Sequence, residues 1–287
     1  MSLDPHPTPE TRLAGWYRQA APGTRLGVWL AAVVAAWGGW AAALVVMGVP
    51  LAALWRPDTQ RLFLGGAYGG LLGVTVLMWI RLQGLPIVVL TGRWCARAAA
   101  EAGAWFLLGV CTLLAVEGGL VVSGLARWRS PVLDPTALTL WFDVLGAAWL
   151  FSLSEEFVFR GFVLRTLAAG GRWWAAGLVS SLSYATVHFL RADVVWHAIA
   201  LPWLGLFLAG GLLAWLAFRT QGMWASAGLH AGWLAVFLLL DRLRLLEPAP
   251  TAVLWTGGGY PLGGLAGLGA VLGLWGATAW AWRRRTV

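Results

Sequence analysis

The sequence predicts an all-α fold, a polytopic transmembrane helical bundle of about eight spans. Three observations predict it. The 287 residues are 60% hydrophobic and only 11% charged, a composition foreign to a soluble domain built on one core. Apolar runs of about 20 residues recur along the chain, each long enough to cross a hydrocarbon core of ~30 Å. The 20 basic residues, all arginine, gather at the ends of those runs, as membrane topology requires. A formal net charge of +8 would otherwise suggest a nucleic-acid partner. Arginines placed at span ends assign that charge to topology, so no nucleic acid is expected.

In chain order, residues 1–25 read as an N-terminal cytoplasmic tail, disordered or lying on the surface, with four prolines in the first 22 residues. Residues 26–287 read as a single integral-membrane domain. The first apolar stretch runs some 30 residues, beyond a signal-peptide core, so no cleaved signal is expected. Spans are expected near 26–50, 62–80, 103–126, 136–167, 173–190, 195–218, 222–240 and 260–282. The segment 82–102, with Pro86, Arg93 and Arg97, reads as an amphipathic connector at the interface. The fourth span is the long one, ~48 Å at 1.5 Å per residue, and must project or tilt. Cys95 and Cys111 read as two free thiols, since no metal spacing links them. With the N-terminus inside, twelve arginines fall on inner segments and seven on outer ones, with Arg160 inside the membrane. That bias puts both termini in the cytoplasm.

The chemistry concentrates in the fourth span, at Ser154-Glu155-Glu156-Phe157-Val158-Phe159-Arg160-Gly161. With only 12 acidic residues in the chain, two adjacent carboxylates at membrane depth mark function, because each charge there costs roughly 2.5–3.5 kcal/mol on insertion scales. Glu156 and Arg160 stand four residues apart and can pair on one helical face. Glu155 is rotated about 100° away and is left free to carry a proton. Glu155 is therefore the expected general base and Glu156 its structural neighbour.

Two of the four histidines lie in apolar helices, His188 and His230; His6 and His197 read as interfacial. The turn at Gly170-Gly171 puts Glu155 at ~22 Å and His188 at ~26 Å along two antiparallel helices. His230 lies ~12 Å from a turn on the same side, and a protruding first hairpin brings it level. Three ionisable groups then share one layer, the spatial requirement for acid–base chemistry. Glu117, in the third span, is a further carboxylate to be located.

In this order "SEEFVFRGFVLR", "YATVHF" and "FRTQGMWASAGLHAGW" resemble the CPBP family of intramembrane proteases. This family includes CAAX prenyl endopeptidases and bacteriocin-processing or immunity proteins of the Abi group. Its signatures are Glu-Glu-x-x-x-Arg, Phe-x-x-x-His and His-x-x-x-Asn/Asp. Glu155, Glu156 and Arg160 match the first; His188 matches the second, with Tyr184 in place of Phe; His230 matches the third. Leu234 departs from the third, bringing neither an amide nor a carboxylate one turn beyond His230. Ser226, at i−4 from His230, is the alternative hydroxyl on that stripe. The protease-like core spans about 136–240.

The resemblance implies an intramembrane endopeptidase with catalytic residues Glu155, Glu156, Arg160, His188 and His230. In the metal-free reading, Glu155 with His188 activates water and His230 stabilises the oxyanion. In the metal reading, Glu155, His188 and His230 hold zinc. The expected partners are a peptide or protein substrate, lipidated or not, and the lipid bilayer. The all-arginine composition points to a bacterial cytoplasmic membrane. His-Glu-x-x-His, Gly-x-Ser-Gly and Gly-x-Gly-Asp are all absent, which disfavours site-2, rhomboid and presenilin-type proteases. Two non-proteolytic readings compete. One is a catalytically weak or inactive membrane scaffold or immunity-type protein that binds peptide in the same cavity. The other is a transporter using the carboxylates as a proton relay.

Overall fold

The computed structural model describes residues 9–54, 56–130, 137–189, 196–258 and 260–284. They form an all-α bundle with one small two-stranded ribbon. Helix α1 covers Pro9–Gln19 and α2 Pro22–Val46; α3 covers Pro57–Met78 and continues as a π turn over Trp79–Gln83. A short α4 (Val88–Thr91) precedes α5 (Ala96–Val122). Then follow α6 (Ala137–Glu156), a π-helical segment at Phe157–Val163, and α7 (Leu164–Ala168). The chain continues through α8 (Trp173–Val187), α9 (Trp196–Thr220), α10 (Trp224–Arg242), the short α11 (Val253–Thr256) and α12 (Leu265–Arg283). Proline at the first helical position of α2 and α3 presets φ where the N–H has no helical partner.

Six of the described helices are long and apolar enough to cross a membrane: Pro22–Val46, Gly65–Gln83, Ala96–Val122, Ile199–Thr220, Trp224–Arg242 and Leu265–Arg283. The chain is a multi-pass membrane protein. The other two expected spans are helical but do not meet that measure. The α6–α7 rod carries the charged cluster, and α8 is only 15 residues long. The rod is continuous from Ala137 to Ala168, within a residue of the long span expected at 136–167. Helix α5 starts at Ala96, so the expected connector 82–102 gives its last seven residues to a span. Within the tail 1–25, Pro9–Gln19 fold as α1. Tyr17 of α1 is fully buried beside Trp79 and Leu90. Burial pushes its phenol up to about 12, so it stays a neutral donor, here to the Arg25 carbonyl at 3.3 Å.

One core lies among α5, α9, α10 and α12, around Leu113, Leu212, Leu216, Leu229 and Val271. A second surrounds the π-helical segment, where Trp29, Trp79, Phe162 and Leu90 pack together. Strands β1 (Ala126–Trp128) and β2 (Leu246–Pro248) pair antiparallel, with Arg127 opposite Glu247. Sequence periodicity could not flag strands of three residues. They tie the end of α5 to the end of α10. Both cysteines are free thiols, and both are exposed.

Candidate active site

Helix α10 presents His230 because its other face is built for close contact. Gly228 and Gly232 stand two residues either side of His230, about 200° around the helix. A Cβ at Gly228 would overlap the Ala102 carbonyl of α5, and one at Gly232 the Phe106 carbonyl. Small residues four apart let membrane helices approach backbone to backbone. With that face against α5, His230 turns toward α6. Ser152 of α6 pins the two helices near this level by donating to the Ala227 carbonyl at 2.7 Å.

On the rod, Glu156 and Arg160 form an ion pair with no solvent-accessible side-chain surface on either partner, Nη1 to Oε1 at 3.0 Å. The π-helical segment begins directly after Glu156, and one buried hydroxyl answers it: Ser180 of α8 donates to the Phe159 carbonyl at 2.9 Å. Arg160 Nη2 donates to the Gly210 carbonyl of α9 at 3.0 Å. A Cβ there would be a tight fit, within 3.1 Å of Tyr184 Cδ1 and 3.3 Å of Ser181 Cα. The guanidinium also lies 4.5 Å over the Tyr184 ring. Arg160 therefore binds α6, α8 and α9 together, and Glu156 is its counter-ion. The same Glu156 Oε1 accepts from His230 Nδ1 at 3.0 Å.

Glu155 faces a different set of partners. Its Oε1 accepts from the Tyr68 hydroxyl of α3 at 3.0 Å. Its Oε2 is buried without a hydrogen-bond partner. That oxygen stands 3.7 Å from His188 Nε2 and 3.8 Å from His230 Nε2, too far for hydrogen bonds and within reach of one bridging water.

Hydrogen-bond partners assign the tautomers. His188 follows the last residue of α8, so it caps the helix rather than sitting inside it as the sequence suggested. Carbonyls in a last turn lack helical partners. The Tyr184 carbonyl takes its proton from His188 Nδ1 at 2.7 Å. A carbonyl only accepts, so Nδ1 carries the hydrogen and Nε2 of the neutral ring offers a lone pair. For His230, the Glu156 carboxylate plays the same part at Nδ1. Its Nε2 lone pair lies 3.3 Å from the Tyr184 hydroxyl. Glu155 Oε2 thus faces two imidazole nitrogens that offer lone pairs, at 3.7 and 3.8 Å. His188, 28% exposed at the side chain against 9% for Glu155 and 5% for His230, forms the open side.

All five site residues expected from sequence, Glu155, Glu156, Arg160, His188 and His230, are brought into this one cluster. Glu117 on α5 has no hydrogen bond or ion pair to any of them. Ser226 is fully buried with its hydroxyl donated to the Met223 carbonyl at 2.9 Å. Leu234 is half-buried and brings no polar atom. His6 and the His197 side chain lie outside the described residues. Tyr68 was missed. Its signal was a lone phenol inside the glycine-rich apolar run Gly65-Gly66-Ala67-Tyr68-Gly69-Gly70, in a chain with four tyrosines.

Two imidazole nitrogens and a carboxylate oxygen also make the donor set of a His2Glu zinc site. Donors bound at ~2.0–2.1 Å around a tetrahedral zinc lie roughly 3.4 Å apart, and the separations here are 3.7 and 3.8 Å. The donor chemistry fits. Among the described residues, however, no three His, Cys, Asp or Glu side chains are drawn together closely enough to hold an ion as they stand.

No curated protein and no solved structure matches the chain. The family described as type II CAAX prenyl endopeptidase Rce1-like matches residues 137–236. That stretch runs from the start of α6 into α10 and carries every site residue except Tyr68. Over residues 137–236, about a third of its length, the chain is thus similar to the Rce1-like family of type II CAAX prenyl endopeptidases.

Proposed function

We propose that this chain is an intramembrane endopeptidase of the CAAX-processing type, cleaving a peptide or protein substrate with Glu155 as general base. The observation that carries the reading is the convergence of Glu155 Oε2 with the two Nε2 lone pairs. A water bridging Oε2 and His188 Nε2 gives up one proton to Glu155. Its oxygen forms the C–O bond, and the carbonyl π pair moves onto the carbonyl oxygen. Collapse then breaks the C–N bond, and the proton held by Glu155 passes to the departing nitrogen. The new carboxylic acid ionises to solvent, and Glu155 is again a carboxylate. General-base assistance of this kind is worth roughly 10²–10⁴-fold. Glu156 and Arg160 touch no reacting atom. They are positioning residues that hold His230 and join the helices.

The test is cleavage of an internally quenched peptide by protein reconstituted in proteoliposomes. Peptides ending in a CAAX sequence, farnesylated and unlipidated, separate lipidated from unlipidated substrate use. Wild-type cleavage that Glu155→Gln abolishes is the expected result; equal turnover in that variant would falsify the mechanism. Leu234 is the one observation favouring the peptide-binding scaffold, and binding without cleavage would establish it.

The donor set gives the zinc reading equal standing in residue chemistry. Glu155, His188 and His230 would hold the ion, which supplies a Lewis acid and a more acidic bound water. Dialysis against a strong chelator separates the readings by metal content and melting temperature as well as by rate. The arginine bias supports cytoplasmic termini in a bacterial inner membrane, which protease accessibility of terminal tags in oriented vesicles checks.

A further inference from the structure

We infer that the Tyr184 hydroxyl is the hydrogen-bond donor to the oxyanion of this site. The inference rests on the hydrolysis proposed above and adds a residue to it. An oxyanion needs a proton pointed at it. Counting protons in the cluster leaves few candidates. His188 Nδ1–H is committed to the Tyr184 carbonyl and His230 Nδ1–H to Glu156. Both Nε2 atoms are then acceptors in the neutral rings, as is Glu155 Oε2. Arg160 donates to Glu156 and Gly210; its Nε–H is buried without a partner, but the guanidinium pairs with Glu156 and not with Glu155, whose Oε2 marks the reacting side. The Tyr68 hydroxyl is tied to Glu155 Oε1 at 3.0 Å. Leu234 offers nothing, and Ser226 donates elsewhere.

Tyr184 remains. It is 3% exposed, and its ring lies between the two histidines, 4.6 Å from that of His188 and 5.8 Å from that of His230. The Arg160 guanidinium packs on its face, so the ring is held. Its hydroxyl has one acceptor, His230 Nε2, at 3.3 Å, a long contact for an O–H donor. A long resting bond is released at small cost. An O–H bond to a developing anion shortens to ~2.5–2.7 Å and is about twice as strong as a neutral one. The gain therefore arises only as charge develops, the requirement for catalysis rather than ground-state binding. His230 acts here as the resting acceptor that aims the hydroxyl.

Four proteins reconstituted in proteoliposomes test this on the quenched, farnesylated CAAX peptide: wild type, Glu155→Gln, Tyr184→Phe and Tyr184→Phe/Leu234→Asn. Phenylalanine keeps the ring and removes one oxygen. Tyr184→Phe is expected to lose ~10²–10³-fold in kcat, the scale of one oxyanion donor, with KM and melting temperature near wild type. Leu234→Asn, placing an amide one turn beyond His230, is expected to recover part of that loss in the double variant. Wild-type kcat in Tyr184→Phe beside an inactive Glu155→Gln overturns the assignment of Tyr184 alone. So does a loss that Leu234→Asn leaves untouched. Cleavage that survives Glu155→Gln, or none in wild type, overturns the underlying hydrolysis instead.

Discussion

Glu155 and Glu156 are neighbours in sequence and strangers in partnership. Glu156 Oε1 is shared by Arg160 and His230, each at 3.0 Å, with no exposed side-chain surface. Glu155 holds one hydrogen bond, from Tyr68, and leaves Oε2 without one. A helix turns about 100° per residue, and that rotation divides one pair of identical side chains into a fully paired carboxylate and one that keeps an unpartnered oxygen.

The division predicts opposite phenotypes for two identical substitutions. Glu156→Gln leaves Arg160 charged and buried without its counter-ion, which costs about 3–5 kcal/mol for a buried pair. Its melting temperature in detergent should fall sharply. Glu155→Gln should melt near wild type and cleave nothing. Equal melting temperatures for the two variants would contradict the assignment.

His188→Ala and His230→Ala should each lower kcat by roughly 10²–10³-fold. Their stabilities should differ. His188 is the more exposed and ends a helix, whereas His230 removes a partner from buried Glu156. Thermal melts of the two variants should therefore separate, with His230→Ala the lower.

Tyr68→Phe should slow cleavage by roughly 10- to 100-fold, because a hydrogen bond to a charged group contributes roughly 1.5–3 kcal/mol. The carboxylate would then be free to rotate Oε2 away from the histidines. A kcat loss at constant KM fits this account. A rise in KM alone would place Tyr68 with substrate binding instead.

Gly228→Ala and Gly232→Ala should each destabilise the protein, since a Cβ meets a carbonyl oxygen of α5 and overpacking costs typically 1–3 kcal/mol. Ala225→Gly, a buried position on the same helix, would instead carry the helix-propensity penalty of about 1 kcal/mol. Detergent melts of the three variants check the ranking.

Much of this site was legible in the chain, for local reasons. The Glu156–Arg160 pair follows from i, i+4 spacing, and the long rod from a mostly apolar, proline-free run between Ala137 and Ala168. The common depth of Glu155, His188 and His230 follows from counting residues out of two turns. Contacts between distant segments were not legible. Tyr68 lies 87 residues from Glu155, and a single phenol has no period. The π-helical segment was hidden because its sequence, Phe157 to Val163, continues the apolar pattern of α6 around one arginine, and the extra residue in a π turn leaves no periodic mark. His188 was read as mid-helix because Phe189 and Leu190 prolong the apolar pattern past the point where α8 stops.

The α5–α10 pair is fastened at both ends. At one, Met223 N–H donates to the Thr91 carbonyl at 3.0 Å and the Trp94 and Trp224 rings stand 4.3 Å apart. At the other, the β1–β2 ribbon joins the two helices' continuations. Between these rivets the glycine faces leave no slack. A pair so bound behaves as an anvil: His230 stays where it is while a substrate chain arrives. Room for that chain must then open on the opposite flank, where α8 stops at His188. Amide exchange should read the asymmetry directly, slow along α10 and faster through the last turn of α8.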